Sequence, residues 1–136
     1  MSEQYSLDRI ALQDVMLNYA AGVDQLERDR HRQCFADDVE VFNFGEEVYR
    51  GADAWVDYVW KALDGFSATQ HLLGPQLATI KGDTASTRSD VQALHFLVND
   101  GGRFILWATY LTEMRKEDGQ WKISRHELSV RGTSND

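Results

Sequence analysis

Residues Thr84-Ala85-Ser86-Thr87-Arg88-Ser89-Asp90-Val91-Gln92-Ala93-Leu94-His95-Phe96-Leu97-Val98 run into Asn99-Asp100-Gly101-Gly102 and then into Arg103-Phe104-Ile105-Leu106-Trp107-Ala108-Thr109-Tyr110-Leu111-Thr112-Glu113-Met114-Arg115. Both flanks are rich in residues that fit a pleated surface, and Asn-Asp-Gly-Gly supplies the backbone freedom of a hairpin loop. The stretch therefore reads as one long hairpin. Glu117-Asp118-Gly119 turns the chain again, and Trp121 to Arg131 reads as the last strand. Upstream, Ala68 to Lys81 reads as a strand with a bulge or bend at Gly74-Pro75, since proline cannot donate to a ladder. Gly82-Asp83 links it to Thr84. The second half is thus an antiparallel meander.

The first half has a different period. Leu7, Ile10, Ala11, Val15, Met16, Tyr19, Ala20, Val23 and Leu26 recur in steps of three and four, the pattern of a helix with one buried stripe. Ser6 is the expected N-cap. A short charged helix over 27–36 follows and ends at Asp37-Asp38. Val39 to Phe44 alternates like a strand, Gly45-Glu46 turns, and Glu47 to Arg50 returns. Ala52 to Leu63 is helical by the spacing of Trp55, Val56, Val59, Trp60 and Leu63, with Gly65 beyond its end. Helices first and an antiparallel meander second predict an α+β layer architecture. Long bent strands wrapping N-terminal helices make a cup with an apolar interior.

The chain has 136 residues, 43% hydrophobic and 26% charged, which predicts a single domain over 1–136 with a structured core about 6–131. Fourteen Lys and Arg against 22 Asp and Glu leave a net charge of −8. A phosphate-backbone binder or an anionic-membrane binder needs a basic face, so neither nucleic acid nor membrane is an expected partner. No apolar run approaches the roughly 20 residues of a spanning helix. The polar start Met1-Ser2-Glu3-Gln4-Tyr5 does not read as a signal peptide, and the lone Cys34 fits a reducing cytoplasm as a half-buried small residue.

Several residues stand out for chemistry. Asp24 borders the apolar stripe at the end of helix 1, where a carboxylate is either solvated or paired with a donor. His71 opens a strand segment, Thr69-Gln70-His71. It reads as a structural histidine or, beside a carboxylate, as a general base. Tyr19 lies on the buried stripe, as a core aromatic or as a hydroxyl aimed at a polar pocket. It is five positions before Asp24, about 140° around an ideal helix. Strand alternation puts Ser124, His126, Leu128 and Val130 on one face and Ile123, Arg125, Glu127 and Ser129 on the other. His31, in Arg28-Asp29-Arg30-His31-Arg32, is expected to be solvated. No HxH, HExxH or Cys/His cluster suggests a metal, and no GxGxxG, P-loop or GxSxG is present, so no cofactor is expected.

Five segments together carry a resemblance. They are Ile10-Ala11-Leu12-Gln13-Asp14-Val15 with Asn18-Tyr19-Ala20-Ala21-Gly22-Val23-Asp24, then Tyr49-Arg50-Gly51, Thr69-Gln70-His71, Gly82-Asp83-Thr84-Ala85 and Asp118-Gly119-Gln120-Trp121-Lys122-Ile123. From about Leu7 to Arg131 the chain resembles the SnoaL-like branch of the nuclear-transport-factor-2-like superfamily. That branch includes scytalone dehydratase, bile-acid 7α-dehydratase and hexachlorocyclohexane dehydrochlorinase. The resemblance implies a cone-shaped cup, a cystatin-like α+β roll with a curved mixed or antiparallel sheet. It also implies that Asp24 contacts His71 inside the cup and that the Tyr19 hydroxyl polarises a carbonyl or protonates a leaving hydroxyl. His126 stands where the dehydrochlorinase has an arginine, a departure that counts against halide elimination. By the family's register Leu94 and Phe96 line the pocket and His95 faces away, toward a subunit interface shared with Trp121, Ile123 and Tyr110. A bulge would bring His95 inside, where scytalone dehydratase has a second histidine.

The expected pocket walls include Val15, Trp55, Val59, Leu73, Leu94, Phe96, Trp107, Leu111 and Leu128, most of which read equally as core. The expected function is a cofactor-free lyase or isomerase of the dehydratase type, with Asp24, His71, Tyr19 and His126 acting on a small hydrophobic, cyclic molecule. The alternative is a non-catalytic ligand carrier or an assembly subunit like the small subunit of ring-hydroxylating dioxygenases. A third reading makes Asp24 the base and His71 secondary. A homo-oligomer, dimer or trimer, is the expected assembly.

Overall fold

The computed structural model describes residues 2–136. Helix α1 (Glu3–Asp24) begins before the expected start, because Ser2 and not Ser6 caps it: the Ser2 hydroxyl accepts the Tyr5 N–H at 3.0 Å. Its buried positions are Asp8, Leu12, Met16, Tyr19, Ala20, Gly22 and Val23, a narrower stripe than expected, and Leu7 and Ile10 lie in solvent. Asp8 is buried with partners. It accepts the Trp121 Nε1–H at 3.0 Å and pairs with Lys116 at 3.0 Å, which pins α1 to the far end of the sheet.

Helix α2 (Arg28–Arg32) is little more than one turn. Strand β1 (Phe35–Phe42) then starts earlier than the alternation suggests, because Phe35 and Ala36 are already buried and Phe35 pairs with Ile123. Asp37 and Asp38 bulge out of this pairing and meet Arg32 and Arg115. Strand β2 (Tyr49–Arg50) pairs with β1, and α3 (Ala52–Leu63) buries Trp55 and Val56. The strand expected over 68–81 is two, β3 (Phe66–Leu73) and β4 (Leu77–Lys81), both paired with β5 (Thr84–Leu97). The Gly74 N–H still reaches Asp90 O at 2.8 Å, and the missing N–H of Pro75 follows at the break. Strands β6 (Arg103–Glu117) and β7 (Gln120–Asn135) complete the hairpins, so regular structure runs from Glu3 to Asn135.

The sheet order is β2-β1-β7-β6-β5-β3, with β4 also on β5. The β1–β7 pair is parallel and the rest antiparallel, so the sheet is mixed. It curves around α1, which packs on β3 and β7, while α3 closes the β1–β2 side. The result is the expected α+β cup. Its core joins Leu12, Met16 and Tyr19 of α1 to Phe35, Val39 and Val41 of β1, Trp55 of α3 and Val91, Tyr110, Met114, Ile123 and Leu128 of the long strands. No described helix is long and apolar enough to cross a membrane.

Two departures from the expected facing of the strands bear on the site. In β7 the register with β6 steps from Ile123 directly to Arg125, leaving Ser124 as an extra residue. Trp121, Ile123, His126 and Leu128 consequently share the buried face, and Trp121, Ile123 and Tyr110 are core residues and not an exposed interface. In β5 the buried line is Ala85, Thr87, Ser89, Val91 and Ala93, continued by His95. Small and polar residues thus face inward, where α1 and the aromatic rings need room. Leu94, Phe96, Trp107 and Leu111 lie on the outer face instead, and the last three are more than a third exposed.

Candidate active site

Asp24 is the last residue of α1, where the helix dipole disfavours a negative charge. Three donors offset this. The His71 ring donates from Nδ1 to Asp24 Oδ1 at 2.7 Å, the His71 main-chain N–H donates to Oδ2 at 2.8 Å, and the Thr69 hydroxyl donates to Oδ1 at 2.9 Å. Burial raises the Asp24 pKa, but the bonds from His71 and Thr69 outweigh it and hold the carboxyl below its ordinary value. An ionised carboxylate only accepts, so Nδ1 carries a ring proton, and in the neutral ring the lone pair is on Nε2. The side chains are 10% exposed for His71 and 20% for Asp24, nearly dry but open to the cup.

Strand β3 makes this possible. Thr69, His71 and Leu73 alternate onto the inner face, and their partners on β5 are His95, Ala93 and Val91. His95 therefore faces in, contrary to the register expected from Leu94 and Phe96. Its ring centre is 6.1 Å from that of His71, and its Nδ1–H donates to Phe104 O at 3.1 Å. Burial lowers its pKa, so Nε2 is presented as an acceptor.

A second polar chain crosses the interior. His126 meets Thr112 Oγ1 through Nδ1 at 2.9 Å and the Tyr19 hydroxyl through Nε2 at 3.2 Å. His126 is fully buried, and desolvation pushes its pKa down to about 3. It is a neutral imidazole with one N–H, linking two hydroxyls that each donate and accept. Burial pushes Tyr19 and Tyr110, whose rings are 5.5 Å apart, well above the usual phenol range. Tyr110 thus lies against Tyr19 and under the influence of the Asp24 charge.

His31 is the residue the sequence misplaces. It is fully buried and not solvated, and neither ring nitrogen has a partner among the described residues. The rings of Tyr19, Phe35 and Trp60 surround it at 5.2, 4.9 and 5.2 Å, and desolvation pushes its pKa down to about 3. The available signal was Gly22. A Cβ there would lie 2.7 Å from His31 N, so α2 sits against α1 only because that position has no side chain. Cys34 is buried, and desolvation raises its thiol to about 12, far from a reactive thiolate.

Of the expected walls, Trp55 and Leu128 are buried in the interior, and Val59 and Leu73 pack against it half-buried. Val15 also packs on the core and edges a groove outside the cup with Cys34 and Trp121. Among the described residues no three His, Cys, Asp or Glu side chains converge in a group that would hold a metal ion.

Proteins of known structure share this fold. A protein designated a candidate scytalone dehydratase, from Novosphingobium aromaticivorans, superposes with a TM-score of 0.92 at 25% identity, covering 98% of this chain and 91% of that one. A protein designated a candidate aromatic ring hydroxylase, from the same species, gives a TM-score of 0.85 at 27% identity, covering 95% and 93%. A hexachlorocyclohexane dehydrochlorinase from Novosphingobium barchaimii gives 0.88 at 23% identity, covering 97% and 92%, and shows the shared fold. No curated protein matches the chain. The SnoaL-like domain matches residues 4–127, nearly the whole chain that folds into the cup, and the protein belongs to that family, in the nuclear-transport-factor-2-like fold.

Proposed function

We propose that this chain is a cofactor-free lyase or isomerase of the dehydratase type, acting on a small, hydrophobic, oxygenated ring. One observation carries the reading: the His71 imidazole is clamped to a half-buried carboxylate that three donors keep ionised. Such a clamp leaves Nε2 as a base and stabilises the imidazolium formed when it takes a proton. The proton would come from carbon next to a carbonyl. The electron pair left behind forms the double bond as hydroxide departs from the neighbouring carbon, and a proton makes it water. Tyr19, with neutral His126 behind it, is the donor on that side, and His95 Nε2 would accept from a substrate hydroxyl. The likeness to the candidate scytalone dehydratase, at 25% identity, supports an elimination of this kind.

The test is His71→Ala, assayed for dehydration of cyclic β-hydroxyketones. Turnover should fall by ~10²–10⁴-fold, the usual worth of a general base, with Tm close to wild type. Turnover retained in that variant removes the mechanism. The likeness to the candidate aromatic ring hydroxylase, at 27% identity, favours a second reading as an assembly subunit. Stable co-purification with a larger iron-sulfur subunit, and no turnover by the wild type alone, would select that reading.

A further inference from the structure

Four histidines occur in the chain, and three have ring partners: His71 on Asp24, His95 on Phe104 O, and His126 on Thr112 and Tyr19. His31 is the exception. Its ring is fully buried, and both nitrogens lack a partner among the described residues. The three rings around it, Tyr19, Phe35 and Trp60, meet it edge-on or tilted. A leucine at that place would fill similar space without leaving polar atoms unpaired. A neutral imidazole there holds one N–H and one lone pair for a partner that the described residues do not supply.

We propose that His31 is a specificity-determining residue of the cup, where a hydroxyl on a bound ring completes the hydrogen bonding of the imidazole. This rests on the reading of the interior as a small-molecule site, but not on any reaction there. A hydroxyl both donates and accepts, as a neutral imidazole does, whereas a carbonyl would satisfy only the N–H. The surrounding aromatic rings suit the ring that carries it. A carboxylate or phosphate is disfavoured, because it only accepts and would leave the lone pair of the neutral imidazole unpaired. The site adjoins the catalytic candidates: Tyr19 is 5.2 Å, ring to ring, from both His31 and His126. The class of ligand is therefore a phenol or cyclic alcohol held by its hydroxyl on His31.

The test compares 2-naphthol with 2-methylnaphthalene, two rings of one shape that differ by hydroxyl against methyl. Their dissociation constants are measured by equilibrium dialysis at neutral pH on wild type, His31→Leu, His31→Gln and His71→Ala. The wild type should prefer 2-naphthol roughly tenfold, the worth of one good neutral hydrogen-bonded group. His31→Leu should bind both probes alike without a lower Tm, His31→Gln should keep part of the preference, and His71→Ala should keep all of it. A wild type without the preference, including one that binds neither probe, overturns the proposal, as does a preference that survives in His31→Leu. If His31→Leu does not fold, an undiminished preference in His31→Gln overturns it and a reduced one supports it. Failure of the catalytic reading shows separately, in the turnover of His71→Ala.

Discussion

At the negative end of α1, Asp24 stays ionised because His71 gives it two hydrogen bonds and Thr69 a third. Asp24→Asn preserves the shape and inverts one half of the group, since an amide nitrogen donates. The His71 main-chain N–H still needs an acceptor, so the amide oxygen turns to it and the amide NH₂ faces Nδ1. The ring must then accept at Nδ1 and carry its proton on Nε2, which caps the proposed base. Ring ¹⁵N shifts of His71 above neutral pH should report the Nδ1–H tautomer in wild type and the Nε2–H tautomer in Asp24→Asn. Turnover should drop by ~10²–10⁴-fold. An unchanged tautomer would show that Asp24 does not set the orientation of the ring.

At the level of elements, close approach between α1 and α2 positions the interior. Gly22 lies within the helix yet faces the His31 backbone, and a built Cβ would sit 2.7 Å from His31 N and 3.0 Å from its Cα. Gly22→Ala gains about 1 kcal/mol of intrinsic helix propensity but forces two backbones apart, an overpacking that costs typically about 1–3 kcal/mol. The expected net result is a lower urea midpoint and an altered His31 ring environment, and a raised midpoint would mean α2 moves freely. The same contact shows why the sequence was legible in some places and not in others. The Asn99–Gly102 hairpin and the spacing of Trp55, Val56, Val59 and Trp60 are local signals, and the elements there stand close to where they were read. The Asp24–His71 pair joins residues 47 apart in sequence, so only the family resemblance brought them together. Alternation failed in β7 because one extra residue, Ser124, changes the parity. In β5 the alternation held and the face expected from the family's register did not, because apolar Leu94 and Phe96 point outward while Thr87, Ser89 and His95 point in. His31 was hidden inside a charged run, and only the contact with Gly22 reveals that α2 turns it inward.

Over the whole molecule, buried imidazoles couple folding to pH in a direction opposite to a salt-bridged histidine. His31 and His126 are both pushed from the ordinary 6.5 down to about 3 by desolvation. The unfolded chain binds protons at these positions below about 6.5 and the folded chain does not until about 3, so the unfolded state takes up more protons across that window. Stability is therefore full above pH 6.5 and declines as pH falls toward 3, at about 1.4 kcal/mol per pH unit for each such histidine. The carboxyls Asp8 and Asp24, held low by their partners, withdraw their own contribution only at more acid pH, below their unfolded values near 3.8. Between pH 6 and 4.5 the histidines therefore dominate. His31→Leu isolates one of them. Urea unfolding of the variant across that range should show a slope shallower than wild type by about 1.4 kcal/mol per pH unit, so that the two curves separate toward the acid end with the variant the more stable. Parallel curves would mean that the imidazole titrates alike in folded and unfolded chains. In that case His31 is charged or solvated in the native state, which is incompatible with a dry ring awaiting a hydroxyl.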